Sequence, residues 1–241
     1  MAKTHNLPTP AQIADLKDLV AACDKDVCAK ALQEFKRRAK QGDANAQFSL
    51  GAMYTNGQGV AQNDRVALKW YRLAAKQGDA AAQFNLGAMY INGQGVAQDY
   101  QAALKWYRLA AEQRLASAQS NLGAMYATGE GVAQDYQEAL KWFRLAAKQG
   151  DVNAQFSLGL MYANGQGVAQ DEQEALKWYR LAAKQGDADA QNSLGTMYAN
   201  GQGVAQDYQE ALRLFRLSAE QGNHSGQYNL KNMRDAGQDA D

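Results

Sequence analysis

The stretch Asp135–Gly165, DYQEALKWFRLAAKQGDVNAQFSLGLMYANG, decides the fold. It contains two helical patterns, with apolar residues three or four positions apart, and a Gly-Asp turn between them. Nearly the same residues recur before and after it at a step of 36 positions, as in Trp70, Trp106, Trp142 and Trp178. Such a period is typical of a solenoid, in which each unit buries its apolar face by stacking on the next.

This period divides the chain into three parts. A tail and a capping helix pair occupy residues 1–42, and a capping helix with a tail occupies residues 223–241. Between them lie five units, at 43–78, 79–114, 115–150, 151–186 and 187–222. In the N-terminal cap we expect one helix over Pro10–Cys23 and a second from the turn at Asp24–Asp26 to near Gly42.

Local signals predict where the helices begin and end. Each first helix should begin at the aspartate of a Gly-Asp pair and end at a left-handed glycine. Each second helix should begin at Asn63 or an equivalent aspartate, and Glu138, Glu174 and Glu210 should complete capping-box-like pairs.

Two local features of the sequence matter for the structure, one repeated and one a departure from the pattern. The repeated Gly-Gln-Gly is predicted to form a sharp loop that turns Val60 and its equivalents inward, since no strand precedes it and Gln62 stands at the third glycine position of a nucleotide loop. Arg114-Leu115 replaces the usual Gly-Asp, and a left-handed Arg114 would cost on the order of 1 kcal/mol.

The pattern AQ-x-x-LG-x-MY-x-x-G-x-GV-x-x-D-x-x-x-AL-x-WY-x-x-AA-x-QG resembles the Sel-one-like repeat (SLR), a relative of the tetratricopeptide repeat with a longer connecting loop. The likeness covers residues 43–222 five times over. It implies an all-α fold, a right-handed superhelical α-solenoid of antiparallel helix pairs. It also implies an adaptor for other proteins, commonly in bacterial envelopes, secretion or host contact. Unlike the cysteine-rich secreted branch, these repeats carry no cysteine.

The first helix of each unit has a constant arc and a changing arc. In the third unit the constant residues are Ala118, Gln119, Leu122, Met125 and Tyr126, which we expect to pack. The resemblance implies that the opposite arc lines a concave groove. The candidate partner-binding residues on this arc are Asn45, Phe48, Thr55, Phe84, Ile91, Ser120, Asn153, Phe156, Leu160, Asn192 and Thr196. Two alternatives stay open: these positions vary because they only meet water, or each phenylalanine packs on the adjacent helix.

The second helix is predicted to have a broad apolar surface and a basic arc. Leu140, Trp142, Phe143, Leu145, Ala146 and Ala147 form the apolar surface in the third unit. The basic arc is Lys141, Arg144 and Lys148, repeated by Lys69, Arg72, Lys76, Lys177, Arg180 and Lys184. Pairs such as Glu138–Lys141 favour a solvated face over a phosphate-binding one.

The sequence offers little for catalysis. It has two histidines, near its ends, and no Ser-x-x-Lys or Gly-x-Ser-x-Gly, so we expect no enzyme activity, metal site or cofactor. The recurring aspartates are helix caps. Cys23 and Cys28 could form a disulfide between the terminal helices or remain free thiols.

Charge and hydropathy limit the kinds of partner that we expect. Lys plus Arg and Asp plus Glu are 25 each, so no net positive charge favours binding to nucleic acid. No apolar run is long enough to span a membrane. The N-terminus has no apolar signal core, and a periplasmic or secreted location after removal of a signal is favoured over a cytoplasmic one. We expect a monomer that binds a protein or peptide. By resemblance, the alternatives are an immunity protein against a secreted toxin such as a lipase and, more weakly, an envelope hydrolase of the β-lactamase type.

Overall fold

The computed structural model describes residues 25–238, which form helices and short connections without a strand. The helices are α1 (Lys25–Lys40), α2 (Ala44–Asn56), α3 (Asp64–Lys76), α4 (Ala80–Asn92), α5 (Tyr100–Glu112), α6 (Ala116–Thr128), α7 (Tyr136–Lys148), α8 (Val152–Asn164), α9 (Glu172–Lys184), α10 (Ala188–Asn200), α11 (Tyr208–Glu220) and α12 (His224–Asp235). The predicted helix at Pro10–Cys23 lies outside the described residues. Helix α1 already includes Lys25 and Asp26, which the sequence had suggested lie in a turn.

Two compact units divide between Gln113 and Arg114. In unit 1, α2 pairs with α3 and α4 with α5, while α1 packs on α2. In unit 2 the pairs are α6 with α7, α8 with α9 and α10 with α11, and α12 packs on α11. Leu50 and Leu86 are fully buried in unit 1, as are Leu122 and Leu158 in unit 2. The predicted all-α stack of helix pairs is confirmed.

The helix ends follow the predicted signals. Asp151 is the N-cap of α8 and accepts a hydrogen bond from the Ala154 N–H at 2.8 Å. Gly165 ends this helix in the left-handed conformation, with φ 66°. The last helix begins after Asn223, which accepts from the Gly226 N–H at 2.9 Å.

Only the first half of each predicted capping-box-like pair forms: Asp135 Oδ1 accepts from the Glu138 N–H at 3.0 Å, and Asp171 and Asp207 accept from Glu174 and Glu210 in the same way. The Asp135 N–H, which a capping box would give to Glu138, donates to the Tyr126 carbonyl at 2.9 Å. The Glu138 carboxylate instead accepts from Lys141 Nζ at 3.2 Å, and Glu174 and Glu210 likewise pair with Lys177 and Arg213. A carbonyl in the last turn of the preceding first helix is therefore the acceptor, and this frees the glutamate side chain.

Two glycines allow close approach of backbone and side chain. A Cβ on Gly87 of α4 would lie 2.5 Å from Cδ1 of Tyr107, so glycine lets the tyrosine ring cross the first helix. In the following loop, a Cβ on Gly95 would lie 2.5 Å from the Asp64 carbonyl carbon. As predicted, the loop turns its valine inward, and Val96 packs against the core of unit 1.

Buried glutamines connect consecutive helix pairs. Gln155 of α8 is 5% exposed, donates to the Ala147 carbonyl of α7 at 3.3 Å, and accepts from Gln185 Nε2 at 2.8 Å. In unit 1, Gln83 makes the same two bonds with Ala75 and Gln113. This relay satisfies a buried amide and explains why the position is glutamine in every repeat.

The Arg114-Leu115 junction keeps the backbone shape of the pair it replaces. Arg114 has φ 67° and is, among residues 25–238, the one non-glycine residue with positive φ. Leu115 is the N-cap of α6 and makes no side-chain cap bond. The junction therefore keeps the left-handed turn but lacks the cap.

Candidate functional site

The constant arc of the first helices is buried, as predicted. In α6, Ala118 and Leu122 are fully buried, and Gln119, Met125 and Tyr126 are at most 9% exposed. The arc opposite to it, which carries the candidate partner-binding residues, is called the variable face below.

In unit 1 the variable face combines packed and exposed surface. Asn45 is exposed, whereas Phe48, Thr55, Phe84 and Ile91 are half-buried. The Phe48 ring lies 5.7 Å from the ring of Tyr71, between centroids, and Phe84 lies 5.6 Å from Tyr107 in the same way. Each phenylalanine thus packs on the adjacent second helix, as one alternative predicted, and still presents part of its surface to solvent.

In unit 2 the variable face is more polar. Asn153 is exposed, and Phe156, Leu160, Asn192 and Thr196 are half-buried. Ser120 is only 4% exposed, so it offers no accessible surface and does not belong with the other candidates. A short side chain at this position is covered by its surroundings, while phenylalanine reaches beyond them.

Tyrosines of the second helices add hydroxyl groups that the sequence analysis missed. The Tyr71 hydroxyl lies 3.4 Å from Thr55 Oγ1 and also bonds with Asn85, and burial raises the pKa of Tyr71. In unit 2, burial raises the pKa of Tyr179 to about 12, although a hydrogen bond with Ser193 opposes the shift. Both hydroxyls therefore stay protonated at neutral pH. The sequence signal was an aromatic residue 20 positions after each first-helix glycine, which is tyrosine in the first, second and fourth repeats.

A cavity of about 220 Å³ lies beside the variable face of unit 2. Asn192 and Thr196 of α10 line one side of it. Glu172 and Tyr179 of α9 line another side, and Gln170 and Gln202 from the two loops complete the polar lining. None of its lining residues is basic, so the cavity carries one carboxylate and several neutral hydrogen-bonding groups.

The far side of the second helices, which is the side that carries the basic arc, corrects one prediction. The leucine expected to be buried is exposed in four repeats, by 36–44%, at Leu73, Leu109, Leu145 and Leu181. It falls on the same side as the basic arc, where Lys141 and Lys177 pair with glutamates. The basic side chains also stabilise contacts between repeats, since Arg144 Nη2 donates to the Tyr162 hydroxyl at 2.6 Å.

The remaining predictions concern the two cysteines and the membrane. Cys23 and the side chain of Cys28 lie outside the described residues, and so does their predicted pairing. Within residues 25–238 no helix is both long and apolar enough to cross a bilayer.

The chain belongs to the Sel1 repeat family. The family model matches residues 44–79, 80–115, 116–151, 152–187 and 188–223. The resemblance drawn from the sequence is therefore confirmed, with repeats that begin one residue later than our numbering. Sel1 repeat proteins are generally non-catalytic scaffolds that mediate protein interactions. No curated protein matches the chain.

Solved structures share the fold. A Sel1 repeat protein from Oxalobacter formigenes is 36% identical, with 95% of this chain and 90% of that chain covered and a TM-score of 0.85. The protective antigen c5321 of uropathogenic Escherichia coli is 37% identical with a TM-score of 0.82, and the match covers 98% of this chain but 53% of that one. An immunity protein from Pseudomonas aeruginosa is 18% identical, covers 91% and 85% of the two chains, and has a TM-score of 0.57.

Proposed function

We propose that the protein is a non-catalytic adaptor that binds a protein or peptide through the variable face of its first helices. The observation that carries this proposal is the partial exposure of Phe48, Phe84 and Phe156 on an arc that changes between repeats. The opposite arc is buried and constant, so packing between repeats does not require phenylalanine at these positions.

The physical properties of this face suit protein recognition. Half-buried aromatic residues supply contact area without losing much side-chain freedom, because Tyr71 already restrains Phe48 and Tyr107 restrains Phe84. Exposed amides such as Asn45 and Asn153 can provide hydrogen bonds at the rim. The stacked helices hold these groups in place before a partner arrives.

Affinity purification tests the proposal with a variant whose replacement residue already occurs in another repeat. Phe48, Phe84 and Phe156 are changed together to serine, the residue found at the equivalent position 120. The control variant changes the exposed Leu73 and Leu145 of the second helices to serine. We expect a stoichiometric partner to be lost from the first variant and kept by the control, with unchanged circular dichroism in both.

A photo-crosslinking experiment locates the contact directly. p-Benzoylphenylalanine is introduced at Ile91 on the variable face or at Leu73 on the far side of the second helix. The partner should crosslink at Ile91 and not at Leu73. Retention of the partner by the phenylalanine-to-serine variant, together with crosslinking at Leu73 alone, contradicts a site on the variable face.

A second candidate function is that of an immunity protein that neutralises a secreted bacterial toxin, for example a lipase. It is favoured by the shared fold with a Pseudomonas aeruginosa immunity protein, a likeness of fold only at 18% identity. Co-expression with the product of a neighbouring gene is the test. Growth of otherwise poisoned cells supports this role, and death despite equal expression contradicts it for that toxin.

A further inference from the structure

The cavity in unit 2 lies where the fourth repeat differs from its neighbours, at the start of the second helix. Tyr136 opens α7, and its hydroxyl accepts hydrogen bonds from Gln134 at 3.0 Å and Gln166 at 3.3 Å. Tyr208 opens α11 and accepts from Gln206 at 2.9 Å. In the second, third and fifth repeats this position is thus a tyrosine that ties the loop glutamine to the helix.

In the fourth repeat the tyrosine is replaced by Glu172. Gln170 and Gln202, which correspond to Gln134 and Gln166, consequently have no tyrosine hydroxyl to donate to, and both line the cavity. A second exchange opens the other side, since Asn192 stands where the first, second and fourth repeats carry phenylalanine. The cavity of about 220 Å³ thus lies where two aromatic side chains of other repeats are replaced by Glu172 and Asn192, whereas a single water needs about 15 Å³.

The lining of this cavity selects a ligand with many hydrogen-bond donors and a positive charge. Glu172 is exposed and provides a carboxylate, and the Thr196 hydroxyl, which donates to the Asn192 carbonyl at 3.1 Å, keeps its lone pairs for an incoming donor. The protonated Tyr179 hydroxyl and the amide oxygen of Gln170 add further acceptors, as does the amide oxygen of Gln202, which also accepts from Asn200 Nδ2 at 3.5 Å. A guanidinium group offers five N–H donors in a planar fork that matches a carboxylate bidentately.

We propose that this cavity binds an arginine side chain of the protein partner. The inference rests on the proposed function, because Asn192 and Thr196 belong to the variable face. Glu172 pairs with the guanidinium, and the surrounding amides and hydroxyls accept its remaining N–H groups. An anionic side chain would meet the Glu172 carboxylate with no basic lining residue to compensate.

A nuclear magnetic resonance titration of the full chain tests the inference without the partner. The probe is Nα-acetyl-arginine amide, and the comparison probes are the amides of acetyl-citrulline, which is neutral and nearly isosteric, and of acetyl-glutamate. We expect the arginine probe to shift the backbone amides of Ser193, Thr196 and Gln202 in a saturable way at millimolar concentration. The citrulline and glutamate probes should leave them unshifted.

Three variants separate charge from shape. Glu172→Gln keeps the size of the side chain and should weaken the arginine probe at least about fivefold. Glu172→Tyr and Asn192→Phe restore residues found at these positions in other repeats, fill the cavity and should abolish the shifts. Equal shifts with citrulline, no loss in Glu172→Gln, or no shifts in the wild type would each overturn the inference.

The same variants distinguish this inference from the proposed function. A partner that is lost from the triple phenylalanine variant but retained by Glu172→Tyr leaves the binding face correct and the arginine subsite wrong. Binding of the arginine probe in the cavity, with the partner crosslinked only at Leu73, would show that the cavity accepts a guanidinium but that the proposed face, and with it the assignment of the arginine to the partner, is wrong.

Discussion

Repair of the Arg114-Leu115 junction should stabilise the protein. The five equivalent glycines, from Gly42 to Gly222, have φ between 82° and 94°, whereas Arg114 adopts φ 67° with a full side chain. At the equivalent N-cap Asp151 bonds the Ala154 N–H at 2.8 Å, and Leu115 has no such bond. The double variant Arg114→Gly, Leu115→Asp restores both features in the order in which the other repeats carry them.

The expected gain can be worked out from these two changes. Removal of a side chain from a left-handed residue relieves about 1–2 kcal/mol, of which the larger unfolded-state entropy of glycine takes back about half. An aspartate N-cap adds about 1 kcal/mol. The free energy of unfolding should therefore rise by about 1.5–2 kcal/mol, and the Tm by about 3–8 °C for a chain of this length.

Native-state hydrogen exchange is the best assay, because a stack of repeats need not unfold in one step. The Ala118 amide, which is the predicted donor to the new aspartate, should exchange about fivefold more slowly in Leu115→Asp alone. The matched control is the reverse change, Gly150→Arg with Asp151→Leu, which should destabilise unit 2 by a similar amount.

One result would refute this reasoning. This result is that Leu115→Asp leaves the free energy of unfolding unchanged while the reverse change still lowers it. The packing of the half-buried Leu115 side chain would then contribute as much stability as the missing cap. The single variants separate this outcome from a failure of the backbone argument, which concerns Arg114 alone.

Three further predictions concern buried groups. Gly87→Ala should destabilise the protein by about 1–3 kcal/mol in urea denaturation, although alanine favours helices, because its Cβ would lie 2.5 Å from the Tyr107 ring. Gln155→Leu should cost about 1–3 kcal/mol in the same assay, since the Ala147 carbonyl and the Gln185 side chain each lose one of their hydrogen bonds. Stability should also fall as the pH rises from about 10 to about 12, because unfolding lowers the raised pKa of Tyr179, and Tyr179→Phe should reduce this fall by up to about 3 kcal/mol.

The sequence predicted what each helix does for its own repeat. Positions such as Leu122 and Asp151 recur at fixed spacing, and each recurrence is an independent instance of the same local requirement, a buried apolar site or a helix cap. Period and cap signals therefore predicted the helix pairs, their ends and the packed arc. The wrong prediction that Leu145 is buried shows the limit of this reasoning, since an apolar residue can recur in every repeat without being covered by other residues.

Contacts between residues distant in sequence were beyond that reasoning. The Gln166–Tyr136 bond joins residues 30 positions apart in neighbouring repeats, and no pattern within one helix indicates it. Without that bond the exchange to Glu172 looks like ordinary surface variation. Only the structure shows that Glu172 lines a cavity beside the variable face together with Gln170 and Gln202.

A repeat protein also supplies its own controls. Serine at position 120 and tyrosine at position 136 show that the same backbone accommodates the residues used to test Phe156 and Glu172. A variant built from such exchanges alters one surface and keeps the stacking contacts of Leu158 and Gln155. Loss of binding in a folded variant of this kind can therefore be assigned to the exchanged side chain, because the fold has already accepted the replacement elsewhere in the chain.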